Sequence, residues 1–270
     1  LRHAAFDRLL YPKVRAAFGG DLDIAISGAS PLSPQLAHFF RGAGIAVLEG
    51  YGLTETTAPA SVNTIPLTRV GTVGLPMPGN SIRIADDGEV LVRGVGVFTG
   101  YHRNPEATAE AFTDEWFHTG DLGALDDDGF LRITGRKKDL LVTAGGKNVA
   151  PGPLEEKVRE HRLVSQVVVV GEGRPFVGAL VTLDDEALAA WARENSIESA
   201  GQPLTEHPLV LAQVQEAVDA ANASVSRAEQ IRRFTVLPRD FSLAGGHVTA
   251  TLKLRRQAVI ADFTAEVEKL

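Results

Sequence analysis

The chain of 270 residues contains no cysteine. That excludes disulfides, thiolate nucleophiles and cysteine metal sites, and it suits a reducing compartment, so a cytoplasmic location is expected. Long apolar runs are also missing. The four valines at 167–170 are among the longest, far short of the ~20 residues of a membrane-spanning helix. No membrane span is expected, while peripheral contact with a membrane stays open. Positive charge is in deficit, with 27 Lys and Arg against 34 Asp and Glu and a net charge of -7. A balance of that sign argues against nucleic acid as a partner and leaves room only for a local basic pocket. The chain has no Gly-x-x-x-x-Gly-Lys phosphate loop. Its first residue is Leu1, and residues 1–18 read as an amphipathic helix entered midway, without signal-peptide architecture. It reads as a fragment of something longer.

What is present is the composition of a globular protein, 44% hydrophobic and 23% charged. At roughly 100 to 200 residues per domain, this length supports one large or two modest cores. The stretch Gly135-Arg136-Lys137-Lys138-Asp139 runs straight through an apolar segment into Gly145-Gly146-Lys147-Asn148, the pattern of a joint between two folded units. Arg136, Lys137 and Lys138 can present donors to an anion, and the glycine pair lets the chain turn or approach a ligand closely. A solvated charge cluster before a strand and turn fits the same residues.

Before that joint, residues 21–26 alternate toward a strand that ends in the small residues Ser27-Gly28-Ala29-Ser30-Pro31. Ser33-Pro34 opens a helix to about Arg41, the hydroxyl serving as N-cap and proline as first helical residue. Residues 45–48 form a second strand, followed by Glu49-Gly50-Tyr51-Gly52-Leu53-Thr54-Glu55-Thr56. Strand, helix, strand implies a parallel pair whose ligand-binding loops lie at the carboxyl ends. Glu55 with the hydroxyls of Thr54, Thr56 and Thr57 suits Mg²⁺ or the polar groups of a nucleotide, and also an ordinary threonine-rich turn.

The pattern then becomes antiparallel. Residues 81–85 and 89–93 pair across Asp86-Asp87-Gly88, and residues 121–125 and 130–134 across Asp126-Asp127-Asp128-Gly129. The second turn lacks a calcium loop's twelve-residue ligand set and reads as solvated. Between the hairpins, Asn104-Pro105-Glu106 opens a short helix. In Trp116-Phe117-His118-Thr119-Gly120-Asp121, the aspartate can accept two hydrogen bonds from a vicinal diol such as ribose, or cap a strand. His118 reads as a packing histidine, since no second metal ligand stands at a recognisable spacing.

After the joint come a helix at 154–160, strands at 164–170 and 176–183, helices at 186–193 and 208–223, a strand at 232–237 and a closing helix at 255–269. This is an α+β unit of about 130 residues, large enough to be a domain. Lys253 lies between its last strand and last helix, where an ordinary surface lysine would also fit.

In order, Ser27 to Pro31, Tyr51-Gly52-Leu53-Thr54-Glu55-Thr56, His118-Thr119-Gly120-Asp121, Gly135-Arg136-Lys137-Lys138-Asp139 and Lys253 resemble the adenylate-forming, AMP-binding superfamily. Within it, Lys137-Lys138-Asp139 and Ala144-Gly145-Gly146-Lys147-Asn148-Val149 are similar to long-chain fatty acyl-CoA ligases. The resemblance implies a mixed α/β and α+β fold: residues 1–137 as the end of the large AMP-binding domain, with an α/β part to 65 and an antiparallel β part to 137, and residues 138–270 as a small mobile lid. It places Ala29, Ser30 and Pro31 beside adenine, and Glu49, Gly50, Tyr51, Gly52, Leu53 and Thr54 around AMP and the carboxylate. Glu55 holds Mg²⁺, Asp121 the ribose hydroxyls with Arg136 beside it, and Lys147 approaches the phosphates. Lys138 is the hinge, Gly145 and Gly146 form the loop on the coenzyme A side, and Lys253 reaches the carboxylate and α-phosphate during adenylation, with Thr54 and Glu55 also catalytic. Fatty acid, ATP and coenzyme A are the implied substrates, and AMP and Mg²⁺ the implied ligands.

The sequence departs from that pattern in three places. The Ser/Thr/Gly-rich phosphate loop expected upstream is absent, as is most of the portion that would hold an acyl tunnel. Lys253 follows Leu252 where many relatives carry glycine. The glycine-pair loop is one residue longer than in some members. The implied partner is therefore a missing N-terminal half, and the fragment alone is expected to be inactive. Two alternatives stand beside the ligase reading: a catalytically inert folding or interaction unit, and a carrier-protein ligase or peptide-synthetase adenylation domain.

Overall fold

The computed structural model describes residues 2–197, 202–251 and 253–270. By its contacts the chain divides into two compact units, Leu1–Lys138 and Asp139–Leu270. The first begins with α1 (Arg2–Leu9) and α2 (Tyr11–Ala17) rather than one continuous helix. Pro12 sits in the first turn of α2, where its ring and missing N–H are tolerated, and the break at Leu10 precedes it.

β1 (Ile24–Ser27), α3 (Pro34–Gly42) and β2 (Ala46–Tyr51) form the expected strand–helix–strand unit. β1 and β2 are parallel, with Ser27 opposite Glu49. The Ser33 hydroxyl caps α3 by accepting from Leu36 N at 3.3 Å, and Pro34 follows as the first helical residue. β3 (Ser61–Val62) and β4 (Leu75–Pro76) extend this sheet on the β2 side.

A second, antiparallel sheet holds β5 (Asn80–Ile84), β6 (Glu89–Gly94), β7 (Phe112–Thr113), β8 (Trp116–Leu125) and β9 (Leu131–Arg136), with α4 (Pro105–Glu110) before β7. Both acidic turns join hairpins as expected, β5 to β6 and β8 to β9. The second turn is not merely solvated: the Arg69 guanidinium bridges Asp126 and Asp128 and stacks on Phe130, 4.3 Å from the ring centre. Ala60, Val90, Val92 and Leu131 form the core of this part, with Tyr51, Val73 and Ile133 packed on it.

The second unit begins with a hairpin of β10 (Leu141–Val142) and β11 (Asn148–Val149), then α5 (Pro151–Arg159), β12 (Val164–Val170), β13 (Val177–Leu183), α6 (Asp185–Glu194), α7 (Pro208–Asn222), β14 (Ile231–Val236), α8 (Arg256–Asp262) and α9 (Thr264–Lys269). β13 is central, antiparallel to β12 and parallel to β14. Side chains alternate across a strand. Val167 and Val169 therefore pack with α5, α6 and α7 on one face, while Val168 and Val170 pack with α8 and α9 on the other. Coverage of both faces explains the unbroken valine run. The closing helix expected at 255–269 is two helices, because Phe263 leaves helical geometry and buries its ring against Phe241 and His247.

Among the described residues no helix is long and apolar enough to cross a membrane.

Candidate functional site

Two small-residue loops meet at the carboxyl ends of β1 and β2. A Cβ on Gly28 would lie 3.3 Å from Gly50 O, and one on Gly52 would lie 3.0 Å from the Cα atoms of Ala58 and Pro59, so side chains there would push the loops apart. Ala29 carries φ +63, a left-handed conformation costing roughly 1 kcal/mol or more for a residue with a side chain. Strain of that kind clusters at ligand-binding loops. Ala29, Ser30 and Pro31 are exposed around it. The Glu49 carboxylate accepts from Leu32 N at 3.2 Å and ties the two loops together. Burial raises its pKa above the usual glutamate value, partly offset by the backbone N–H groups of Leu32 and Gly71.

β2 ends in Tyr51, whose hydroxyl donates to Asp121 Oδ2 at 2.7 Å. Arg136 Nε, at the end of β9, donates to Asp121 Oδ1 at 2.6 Å. Pairing of Asp121 with Arg136 across β8 and β9 makes that second contact possible. Asp121 is only 5% exposed, whereas the Arg136 side chain is 47% exposed. Each carboxylate oxygen has two acceptor directions, so one bond at each leaves acceptor capacity for a diol. Burial, and then the Asp121 charge, push the Tyr51 phenol well above its usual range, so it remains a hydrogen-bond donor at physiological pH. The structure thus brings Tyr51, Asp121 and Arg136 together.

Thr54 and Glu55 lie in a single 3-10 turn, Thr54–Thr56. Of the two readings of this stretch, the hydroxyls of Thr56 and Thr57 follow the threonine-rich turn and bond to backbone groups, not to Glu55. Thr56 Oγ1 is buried, accepting from Leu53 N at 2.9 Å and donating to Leu53 O at 3.1 Å, and Thr57 Oγ1 donates to Gly96 O at 2.8 Å. Backbone groups at a tight turn compete for short hydroxyls, and at Thr56 they win. Glu55 Oε1 instead accepts from Tyr101 OH at 3.1 Å. No group of three or more His, Asp or Glu side chains that could hold a metal ion is found among the described residues. A lone carboxylate with a free oxygen fits Mg²⁺ that is carried mainly by phosphates and water.

His118 is not a simple packing residue. Its Nδ1 lies 3.0 Å from Glu89 Oε2 and its Nε2 3.0 Å from Thr113 Oγ1. Glu89, which sequence reasoning missed, is 4% exposed and also meets Lys137 Nζ at 2.9 Å. One signal existed: a charged residue opens β6, the strand whose next three residues are core. Tyr101 was also missed, and nothing local marks it.

Lys138 is exposed, within the turn Lys137–Asp139 at the boundary between the units. In the second unit, Gly145, Gly146 and Lys147 lie in the loop of the β10–β11 hairpin, closed by Thr143 N donating to Lys147 O at 3.0 Å. Lys147 Nζ lies 3.6 Å from Glu229 Oε1. Lys253 is exposed near the tip of a hairpin closed by the Val248–Leu254 bridge, and its own N–H donates to Thr249 Oγ1 at 3.0 Å. Its neighbour Leu252, the departure from glycine, lies outside the described residues.

A sequence model described as AMP-binding enzyme matches residues 3–102, and one described as AMP-binding enzyme C-terminal domain matches residues 138–270. The chain is 53% identical over 272 residues to the long-chain-fatty-acid–CoA ligase FadD15 of Mycobacterium bovis, covering 100% of this chain and 45% of that protein. The chain therefore spans less than half the length of this curated relative. Among solved structures it is similar to the adenylation domain of a carboxylate reductase from Mycobacterium chelonae, at TM-score 0.73 and 26% identity over 99% of this chain and 43% of the other. The same fold occurs in the O-succinylbenzoate coenzyme A synthetase of Bacillus subtilis in complex with ATP and magnesium ion, at TM-score 0.66 and 23% identity, covering 91% of this chain and 49% of that one.

Proposed function

Because the chain belongs to the AMP-binding enzyme family, we propose that it is the C-terminal part of an ATP-dependent fatty acid:CoA ligase. The geometry that supports this best is Asp121 held between Tyr51 and Arg136 beside the two loops at the ends of β1 and β2. It offers a buried anion for a ribose diol and a half-exposed guanidinium next to it. The 53% identity to a protein named as a long-chain-fatty-acid–CoA ligase supports a fatty acid as the substrate and coenzyme A as the acceptor.

Ala29, Ser30 and Pro31 would line the adenine, and residues 49–54 the rest of AMP. In the first half-reaction a carboxylate oxygen of the fatty acid forms a bond to the α-phosphorus of ATP, and the bond to pyrophosphate breaks. Two anions must approach each other, so positive charge around the transferring group lowers the barrier. Lys253, with no ion pair to a described residue of its own unit, is available for that charge, and Lys147 can exchange its long contact with Glu229 for a phosphate. Mg²⁺ held at Glu55 would supply further neutralisation. In the second half-reaction the coenzyme A sulfur bonds to the acyl carbon, AMP leaves, and the thiol proton passes to solvent. The division of labour we propose is a large domain ending at residue 137 and a lid from 138 to 270, pivoting at Lys138 to bring first Lys253 and then the Gly145-Gly146 loop to the nucleotide.

The test is product analysis. The complete protein, given ATP, Mg²⁺, coenzyme A and fatty acids of graded length, should release AMP and pyrophosphate and form the acyl-CoA thioester. Pyrophosphate release with no thioester, but with acyl loading of a carrier-protein thiol, would replace the acceptor. No fatty-acid-dependent pyrophosphate would refute the reading.

A further inference from the structure

We propose that Glu89 is a positioning residue for the nucleotide site, setting the Gly120–Asp121 backbone and fixing Lys137 at the last anchored position before Lys138. The proposal rests on the reading of Asp121 as the ribose ligand.

Glu89 Oε1 accepts from Gly120 N at 2.8 Å. Its Oε2 meets His118 Nδ1 at 3.0 Å and Lys137 Nζ at 2.9 Å, and the same ammonium reaches Asp87 Oδ2 at 2.7 Å. The carboxylate can only accept, so the His118 proton sits on Nδ1. These contacts form a closed ring with the Asp121 site. Gly120 and Asp121 are consecutive on β8, Arg136 and Lys137 are consecutive at the end of β9, and two buried carboxylates cross-link the pairs: Asp121 holds Arg136, and Glu89 holds both Gly120 and Lys137. Gly120 has φ +71 with open space where a Cβ would be, so its backbone conformation, not crowding, requires glycine. One N–H of a left-handed glycine, gripped by an anion, aims the next side chain.

A carboxylate buried at the head of β6 is costly unless its partners are complete. Here they are. Burial alone would raise the Glu89 pKa, yet the bonds from His118, Lys137 and Gly120 outweigh it and hold it below the usual glutamate value. Neutral side chains of the same length could fill the space but could not satisfy three donors.

The experiment measures AMP affinity of the complete protein by calorimetry, in wild type, Glu89→Gln, Gly120→Ala and Arg69→Ala. The last removes the clamp on the β8–β9 turn, which also stabilises this sheet but touches neither Gly120 nor Lys137. Glu89→Gln and Gly120→Ala should each weaken AMP about tenfold or more, the effect of a lost charge-assisted bond, and Arg69→Ala should lower Tm without changing the affinity. Wild-type affinity in a folded Glu89→Gln, or losses of affinity that merely track Tm across all three variants, would overturn the proposal. Should Glu89→Gln fail to fold, wild-type affinity in Gly120→Ala overturns it equally. Wild-type protein that binds no AMP would instead refute the site reading on which the proposal rests.

Discussion

Asp121 is held by one donor on each carboxylate oxygen, Tyr51 OH and Arg136 Nε, and keeps acceptor directions for the hydroxyls of a diol. Asp121→Asn preserves the shape and removes the charge, and AMP affinity measured by calorimetry should fall roughly tenfold to a hundredfold. Glu49 predicts an effect of opposite character. Its folded pKa is raised by burial, so the ionised form is penalised in the folded state at every pH above that value, and the penalty vanishes once both states are protonated below the ordinary pKa. Glu49→Gln should therefore raise Tm at neutral pH and lose that advantage in acid, as scanning calorimetry across pH would show. An equal gain at all pH values would contradict the assignment. The acceptor chemistry of Asp121 was legible in the sequence, because two oxygens suited to a diol belong to the residue itself. Glu89 and Tyr101 could not be read in this way, since their meaning comes from partners 29 and 46 positions away in sequence. Of the threonine hydroxyls near Glu55, backbone groups claim two: that of Thr56 within its own turn, at Leu53, and that of Thr57 at Gly96, 39 positions away.

At the scale of elements, signals that are local survived and those needing a tertiary partner did not. The Asp-Gly turns, the Ser33-Pro34 cap and the Asn104-Pro105 start all lie where their turn and cap chemistry puts them. The parallel pairing of β1 and β2 followed from the intervening helix. Pro12 was a readable warning that residues 1–18 could not be one helix. The break at Phe263 was not readable, because it depends on where that ring finds a core. The short turn Lys137–Asp139 is where the hinge proposal can be tested. Lys138→Pro locks φ, so it should slow one half-reaction several-fold more than the other in pre-steady-state measurements. Unchanged rates for both would move the pivot elsewhere.

At the scale of the whole molecule, two compact units joined at 138/139 carry separate cores. The basic run ending there is a substrate for trypsin, and links between packed units are favoured sites of cleavage. Brief digestion of the chain should cut first after Lys138, giving two resistant pieces of similar size; early cutting within either core would contradict the division. The ligase account assigns the nucleotide site to the first unit and the adenylation charge to Lys253 in the second. It is tested most directly by comparing the two half-reactions of the complete protein in wild type and Lys253→Ala. The account predicts that the variant loses fatty-acid-dependent ATP–pyrophosphate exchange by a hundredfold or more, about 2.7 kcal/mol of transition-state stabilisation, yet still converts supplied acyl-adenylate and coenzyme A to thioester at near the wild-type rate. Equal loss in both half-reactions, or exchange that survives the substitution, would contradict it.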